Sequence, residues 1–278
     1  MILVTGATGN VGRHIVRLLA EQGIAARVLA RDPEKAAGLG AAEVVRGDLA
    51  EPSTLGPALE GVDAVFLFPA PGSGPAFVAA AEAAGVARVV MLSSDAVADD
   101  VAEQANPIAG YHAEIETAVR GSALEWTLLR SGHMATNALP WAGQTKAGDV
   151  VRGPYAEATS APVHEADVAD VAVAALTAEG HAGRVYWLTG PESLTAAEQV
   201  ALIGKAVDRP LVYEELPADV AREQMSRFIP PFIIGTLFEG WAKSVGVPAL
   251  VSSDVETVTG RPARTFDEWA RDRVADFA

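Results

Sequence analysis

Short apolar runs and longer segments with helical spacing alternate along the first half of the chain. The runs are Ile2–Thr5, Ala26–Ala30, Glu43–Arg46 and residues 64–68, 88–92 and 126–129. Between them lie alanine-rich stretches whose apolar residues recur near every 3.6 positions, over 11–21, 75–84 and 111–120. The runs do not alternate apolar with polar residues, which is the pattern of strands covered on both faces. Strand–helix–strand units in series predict a parallel sheet with helices on both sides, a Rossmann-type doubly wound α/β fold. After about residue 135 the rhythm changes. Prolines and glycines punctuate 140–162, one helix–strand pair follows over 167–178 and Arg184–Leu188, and mixed segments run to the end. This predicts a Rossmann domain over 1–150, with 163–190 returning to its sheet, and a smaller α/β substrate lobe over 191–278. Such a lobe would stand at the carboxyl edge of the sheet, where ligands sit in open α/β folds.

Composition narrows the function classes. The chain has 278 residues, half of them hydrophobic, enough for a large core. A formal charge of −15 argues against nucleic acid or an anionic membrane surface as a partner. Screening over about 8 Å still leaves room for a local basic pocket. The absence of cysteine excludes disulfides, thiolate nucleophiles and cysteine-held metal centres. The start, MILVTGATG, has no basic segment ahead of an apolar one, and the apolar stretch 62–92 is broken by Pro69, Pro71, Glu82 and Arg88. A soluble cytoplasmic protein is expected.

The loop after the first strand carries the strongest chemical signal. Gly6, Gly9 and Gly12 in GATGNVG follow the strand ILVT and open a helix, with another strand within about 30 residues, the context of a dinucleotide-binding turn. Gly6 allows the tight turn, Gly9 lets the backbone approach a pyrophosphate, and Gly12 lets the helix pack on the strand. The helix N-terminus then faces the anion; Thr8, Asn10 and Val11 complete the loop. The end of the second strand selects between dinucleotides. NAD sites place a carboxylate there for the ribose hydroxyls, but this chain has Ala30, then Arg31, with Lys35 a turn further on. Arg31 offers a planar fork to a 2′-phosphate, so NADP(H) is the expected cofactor. The alternative is that both cations are solvated charges at the start of a helix, which Asp32 caps before Pro33. Asp48, at the end of the third strand, is either an acceptor for the adenine amino group or a turn-former.

Residues 111–119 read YHAEIETAV. Many nicotinamide-dependent reductases use a helical tyrosine as proton donor, with a lysine four residues on that lowers its pKa. Tyr111 stands in that place, and Ile115 replaces the cation. Tyr111 is therefore either a donor near the nicotinamide or an interfacial tyrosine with its hydroxyl in water. His112 is expected to face solvent or cap the helix. Ser93 and Ser94 close the fifth strand, where a serine bonds substrate oxygen or caps the following turn; Ser93 is also counted among the candidate cofactor-binding residues. His133 follows the strand WTLLR and is either a donor to substrate oxygen or a satisfied structural histidine. His164, beside Glu165, is expected to be structural. Phe228, Phe232, Leu237, Phe238 and Trp241, with Trp141 and Tyr155, form an apolar set. It suits a core, a homodimer contact or the wall of a pocket for a small, flat aromatic substrate.

GATGNVG, RDPEK, GDL, ALEWTLLRSGHMATN, LTGPESLT and VTGRPARTF together resemble an atypical short-chain dehydrogenase/reductase. More narrowly, they are similar to the group containing NmrA-like regulators and NADPH-dependent quinone reductases, over nearly the whole chain. The resemblance implies an N-terminal Rossmann domain and a small C-terminal substrate lobe. It also implies that NADP(H) is surrounded by GATGNVG, Arg31, the GDL segment with Asp48 and Leu49, and the loop of Phe68, Pro69 and Ala70. Members often lack the Tyr–Lys pair, in agreement with Ile115. Where the group often has Arg-Pro and an aromatic after its sixth strand, this chain has Arg130-Ser131-Gly132-His133.

The missing lysine narrows the expected chemistry. Hydride addition to a simple ketone creates an alkoxide that needs a proton donor. Addition to a quinone gives a phenolate-like anion, with basicity near that of tyrosine, about 10, which takes its proton from water. The leading expectation is an NADPH-dependent reductase of quinones or similar conjugated, aromatic carbonyl compounds. The other classes are a regulator that senses NADP(H) through a partner protein, and a non-redox enzyme that keeps the cofactor structurally.

Overall fold

A computed structural model describes the backbone of residues 1–278 and every side chain except that of Phe232. Seven strands form one parallel sheet in the order Glu43–Arg46, Ala26–Ala30, Ile2–Thr5, Ala64–Leu67, Arg88–Ser94, Glu125–Ser131 and Arg184–Leu188. The chain winds outward from the first strand, then crosses back to place the fourth strand on its other side. That reversal leaves a crevice at the carboxyl end of Ile2–Thr5, the switch point of a doubly wound sheet.

Successive residues of a strand face opposite ways. Ile2 and Val4 therefore join one core layer with Val28, Phe66 and Val90, while Leu3 joins the other with Leu29, Val65, Leu67 and Val89. Helices Asn10–Glu21 and Glu165–Thr177 cover the first layer through Ile15, Val16, Leu19, Val168, Val171 and Ala172. Helices Gly74–Ala83 and Pro107–Arg120 cover the second through Phe77, Val78, Ile115 and Val119. Burial on both faces is the physical reason the strand sequences lack alternation.

Two strands run further than apolarity suggests. Arg88–Ser94 and Glu125–Ser131 stay in register through Ser93 opposite Arg130 and Ser94 opposite Ser131. The polar side chains of Ser93 and Arg130 find buried partners, so polarity does not end the pairing. The helix expected over 111–120 begins earlier, at Pro107, with the Asn106 side chain accepting from the Ala109 N–H as its cap.

A second lobe has its own core around Val151, Val200, Ile203, Phe266, Trp269 and Phe277. Its strand Val150–Gly153 runs parallel to Val212–Glu215, and Thr159–Ser160 pairs antiparallel with Leu194–Thr195. The chain is apportioned differently from the sequence rhythm at two places. Ala135 and Ala138, inside the span expected for the first domain, pack in this lobe. The helix Asp254–Thr259 returns to the sheet side, where Val255 joins the first core layer and Asp254 accepts from the Trp187 N–H at 2.7 Å. Buried Glu165 fastens the chain end by accepting from Trp269 Nε1 at 2.9 Å and from Arg273. Among the described residues no helix is long and apolar enough to cross a membrane.

Candidate active site

The glycine loop sits at the switch point. Gly6 adopts φ +62°, where only glycine is unstrained, and a Cβ there would meet the Phe68 side chain at 2.8 Å. A Cβ on Gly12 would stand 2.4 Å from the Gly6 carbonyl oxygen and 2.6 Å from Ala7 Cα. Both glycines thus serve the packing of the turn itself. Thr8 and Gly9 are exposed at its tip, and the nearest atom to a Cβ on Gly9 is the Gly6 oxygen at 3.1 Å. Helix Asn10–Glu21 starts there with no side-chain cap and no acidic residue in its first turn. An uncapped helix start beside an open glycine tip leaves N–H donors for an anion, so these residues fit a dinucleotide pyrophosphate. Arg13, which carries no motif signal, donates from its guanidinium to the Gly9 oxygen at 3.1 Å and the Thr8 oxygen at 3.3 Å. It braces the loop and adds a cation beside it. The Thr5 hydroxyl donates to the Phe66 carbonyl at 3.0 Å and accepts from the Phe68 N–H at 2.7 Å, joining the ends of the two switch-point strands. Phe68 keeps 45% of its surface exposed next to Gly6.

At the end of the second strand, Asp32 accepts from the Glu34 N–H and lies 3.5 Å from Lys35 Nζ. Arg31 is exposed and, among the described residues, has no hydrogen-bond or ion-pair partner. Asp48 behaves as a turn-former: its carboxylate accepts from the Ala50 N–H at 3.0 Å. Leu49 is buried in the second core layer, Pro69 is buried and Ala70 half-buried.

The tyrosine helix explains its own missing cation. Ile115 is fully buried between two helices, and a Cβ on Gly74 would come within 3.1 Å of its Cα. A lysine there would have to bury its charge against apolar neighbours. Tyr111 is half-buried against the same layer, and desolvation raises its pKa. His112 corrects the sequence expectation: it is 7% exposed, its ring lies 4.2 Å from that of Tyr111, and its Nδ1 has no partner among the described residues. The helix begins at Pro107, so residue 112 falls in its second turn, and its spacing from Ala109, Ile115 and Val119 puts it on the inner face. Burial pushes the His112 pKa down to about 4.

Ser93 is also turned away from the expected role. Its hydroxyl donates at 2.5 Å to Glu116, whose carboxylate takes Arg130 through Nε at 3.0 Å and a terminal nitrogen at 2.7 Å. Asp99 takes the other edge of the Arg130 guanidinium at 2.8 Å and 2.8 Å. Ser94 accepts from the Ala96 N–H and so caps the turn, the second of the two readings of that pair. His164 caps helix Glu165–Thr177 by accepting from the Ala166 N–H, a structural part as expected.

A cavity of about 1240 Å³ opens between the carboxyl ends of Glu125–Ser131 and Arg184–Leu188 and the second lobe. Trp141, Tyr155, Trp187, Leu237 and Trp241 wall it, and Phe228, 87% exposed, stands at its mouth. Phe238 is buried instead, against Tyr155 and Trp241; the side chain of Phe232 lies outside the described residues. His133 lines the cavity with no side-chain hydrogen bond among the described residues. Its backbone oxygen accepts from the Val163 N–H at 2.8 Å, which pins the loop. Burial pushes its pKa down to about 4, so the imidazole is neutral near pH 7. Asp95, absent from the sequence reasoning, lines the same cavity one residue past the fifth strand. Its only signal in the sequence was an acid following a strand that ends in Ser-Ser.

A family model described as NAD(P)H-binding matches residues 6–179. The chain is 43% identical to the (4-alkanoyl-5-oxo-2,5-dihydrofuran-3-yl)methyl phosphate reductase of Streptomyces griseus, across 100% of this chain and 99% of the relative. It is 35% identical to the NAD(P)H azoreductase of Xenophilus azovorans, again across 100% of this chain and 99% of the relative. The crystal structure of an NADPH-dependent quinone oxidoreductase from Escherichia coli, complexed with NADPH, matches with a TM-score of 0.81 at 25% identity. That match covers 98% of this chain and 99% of the other.

Proposed function

The chain belongs to the NAD(P)H-binding family, in the atypical short-chain dehydrogenase/reductase group, and from that premise we propose that it is an NADPH-dependent reductase of quinones and similarly conjugated carbonyl compounds. The observation that carries the proposal is the aromatic-walled cavity at the carboxyl edge of the sheet; Tyr111 is not among its lining residues, and buried Ile115 fills the helix position where a cation would tune that phenol. The names of the relatives, a reductase of an unsaturated lactone phosphate, an azoreductase and a quinone oxidoreductase, share a conjugated acceptor and support this reading.

Bound NADPH supplies the hydride. The backbone of Thr8, Gly9, Asn10 and Val11 would hold its pyrophosphate, and Arg31, with Lys35 nearby, its 2′-phosphate. Trp141, Tyr155 and Trp187 offer flat apolar walls that orient an aromatic acceptor and exclude water. Neutral His133 offers an N–H to the acceptor oxygen. A quinone then leaves as a phenolate-like anion that water protonates, so the site needs no tuned phenol. The test is to mix protein, NADPH and a panel of quinones and to follow the absorbance of the reduced nicotinamide. Turnover supports the reductase; binding without turnover of any acceptor would favour the sensing regulator.

Two variants probe the parts. NADPH is expected to bind more tightly than NADH, because a charge-assisted contact from Arg31 contributes about 1.5–3 kcal/mol, roughly one to two orders of magnitude in affinity. Arg31→Ala should erase most of that gap and leave NADH unchanged in a calorimetric titration; equal affinities in the parent would return Arg31 to the solvated surface. Tyr111→Phe is expected to lower quinone kcat less than about tenfold, short of the 10²–10⁴ a general acid typically supplies. His133→Ala should do more harm. Measured kcat and KM showing a hundredfold collapse in Tyr111→Phe with His133→Ala unaffected would reverse these roles.

A further inference from the structure

We propose that Asp95 is a proton donor to substrate, required for the enones among the conjugated carbonyls and dispensable for quinones. The inference rests on the reductase reading above. Three carboxyls cluster at this end of the sheet, and the structure treats them differently. Glu116 and Asp99 share the Arg130 guanidinium, one on each edge. Asp95 forms no ion pair among the described residues and stands on the cavity lining with Arg130, Gly132 and His133. The groups that face it from the packed elements are therefore an arginine already held by two carboxylates, a neutral imidazole and the Ser94 hydroxyl. Asp95 is itself exposed, open to solvent at the cavity, while the protein atoms packed around its carboxyl still desolvate it and raise its pKa. Ser94 and the N–H groups of Asp95 and Ala96 only partly offset that effect. The Arg130 guanidinium, by contrast, holds the exposed carboxyl of Asp99 below its ordinary range.

Gly132 makes room for this arrangement. A Cβ on Gly132 would stand 2.9 Å from Asp95 Oδ2, so any other side chain there would push the carboxyl aside. The Asp95 N–H donates to the Ser131 oxygen at 3.1 Å and the Gly132 N–H to the Leu188 oxygen at 3.1 Å, which fixes both backbones against the strand ends.

The need for a donor depends on the acceptor. A quinone accepts hydride and becomes a phenolate-like anion that can wait for water. An enone accepts hydride at its β-carbon while the π pair moves onto oxygen, giving a more basic enolate. The Asp95 O–H bond then breaks, its proton goes to the enolate, and a saturated ketone results. The carboxylate regains a proton from water that enters through the cavity. The net change is oxidation of NADPH to NADP⁺ by two electrons and uptake of one proton from solvent.

The experiment compares cyclohexenone with menadione in the parent and in Asp95→Asn, with NADPH binding and circular dichroism as checks on folding. Asp95→Asn should lower cyclohexenone kcat about a hundredfold or more, the lower part of the general-acid range, and menadione kcat less than about threefold. The donor works only when protonated, so parent kcat for cyclohexenone should be full at low pH and fall as pH rises through the raised Asp95 pKa. Menadione should lack that limb, and so should the variant. Independently of turnover, the parent-minus-variant infrared spectrum should contain a carboxyl band that titrates above the ordinary carboxylate range. If Asp95→Asn does not fold, Gly132→Ala serves instead: it displaces only the mobile end of Asp95 and should lower cyclohexenone kcat about tenfold while sparing menadione. Turnover of menadione but not cyclohexenone, equal losses for both acceptors, or no loss and no infrared band would each overturn the role of Asp95 and leave the reductase reading standing. A parent that turns over neither compound would overturn the reductase reading itself.

Discussion

Removing the Glu116 carboxylate, in Glu116→Ala, is expected to destabilise the fold by about 3 kcal/mol, although the residue is not among those lining the cavity. Arg130 is 1% exposed and Glu116 3%, and their fork-to-fork pair is joined by the Ser93 hydroxyl. Breaking a buried pair by deleting one partner typically costs about 3–5 kcal/mol, because the remaining charge is left uncompensated. Asp99 still grips the other edge of the guanidinium, and the Trp187 ring lies 5.2 Å from its centre, so the lower end of that range applies. Ser93 would also lose its only side-chain acceptor among the described residues, in a site 3% exposed. Urea denaturation gives the measurement, as a shift in midpoint at unchanged slope. A loss below about 1 kcal/mol would mean that Asp99 alone satisfies Arg130. The pair ties helix Pro107–Arg120 to the ends of the fifth and sixth strands, where the cavity begins.

That network also marks the limit of what the sequence makes legible. The strands and the glycine loop are local matters: a run buried on both faces has a compositional signature, and a turn that must admit a pyrophosphate needs glycine at fixed spacing. The Arg130–Glu116–Asp99 cluster joins residues 14 and 31 positions apart, and no period connects them. Ser93 is predictable as a strand-end serine, but the carboxylate that takes its hydroxyl sits on a helix whose rotation depends on tertiary packing. The cavity draws on residues from Asp95 to Leu250, so its walls emerge only when the second lobe folds over the sheet. The apolar set from Phe228 to Trp241 was visible as composition, while its division into mouth, wall and buried Phe238 was not. His112 is a different kind of miss. The signal was present, since residue 112 stands three positions before Ile115 and seven before Val119, on the apolar face of the helix, and Asn106 before Pro107 marks a start that leaves residue 112 inside the helix rather than at its cap.

Gly9→Val should abolish NADPH binding and leave the fold intact, and among the three glycines of the loop only this one separates the two effects. At Gly6 a side chain would be strained at φ +62° and would strike Phe68; at Gly12 it would collide with the loop backbone at 2.4 Å. Either change would unfold the turn and say nothing about a ligand. Gly9 has φ −79° and ψ 178°, an extended conformation that valine adopts readily, and a Cβ there meets a single atom at 3.1 Å. The neighbour needs to yield only by a few tenths of an ångström. What valine removes is the open tip: its methyl groups would stand where the backbone must approach a pyrophosphate. Breaking two charge-assisted N–H hydrogen bonds to the pyrophosphate costs about 3–6 kcal/mol, which corresponds to roughly a hundredfold to ten-thousandfold weaker binding. Circular dichroism and an unchanged denaturation midpoint would show that the fold survives, and calorimetric titration with NADPH gives the affinity. A folded Gly9→Val protein that binds NADPH as the parent does would remove the pyrophosphate from this loop.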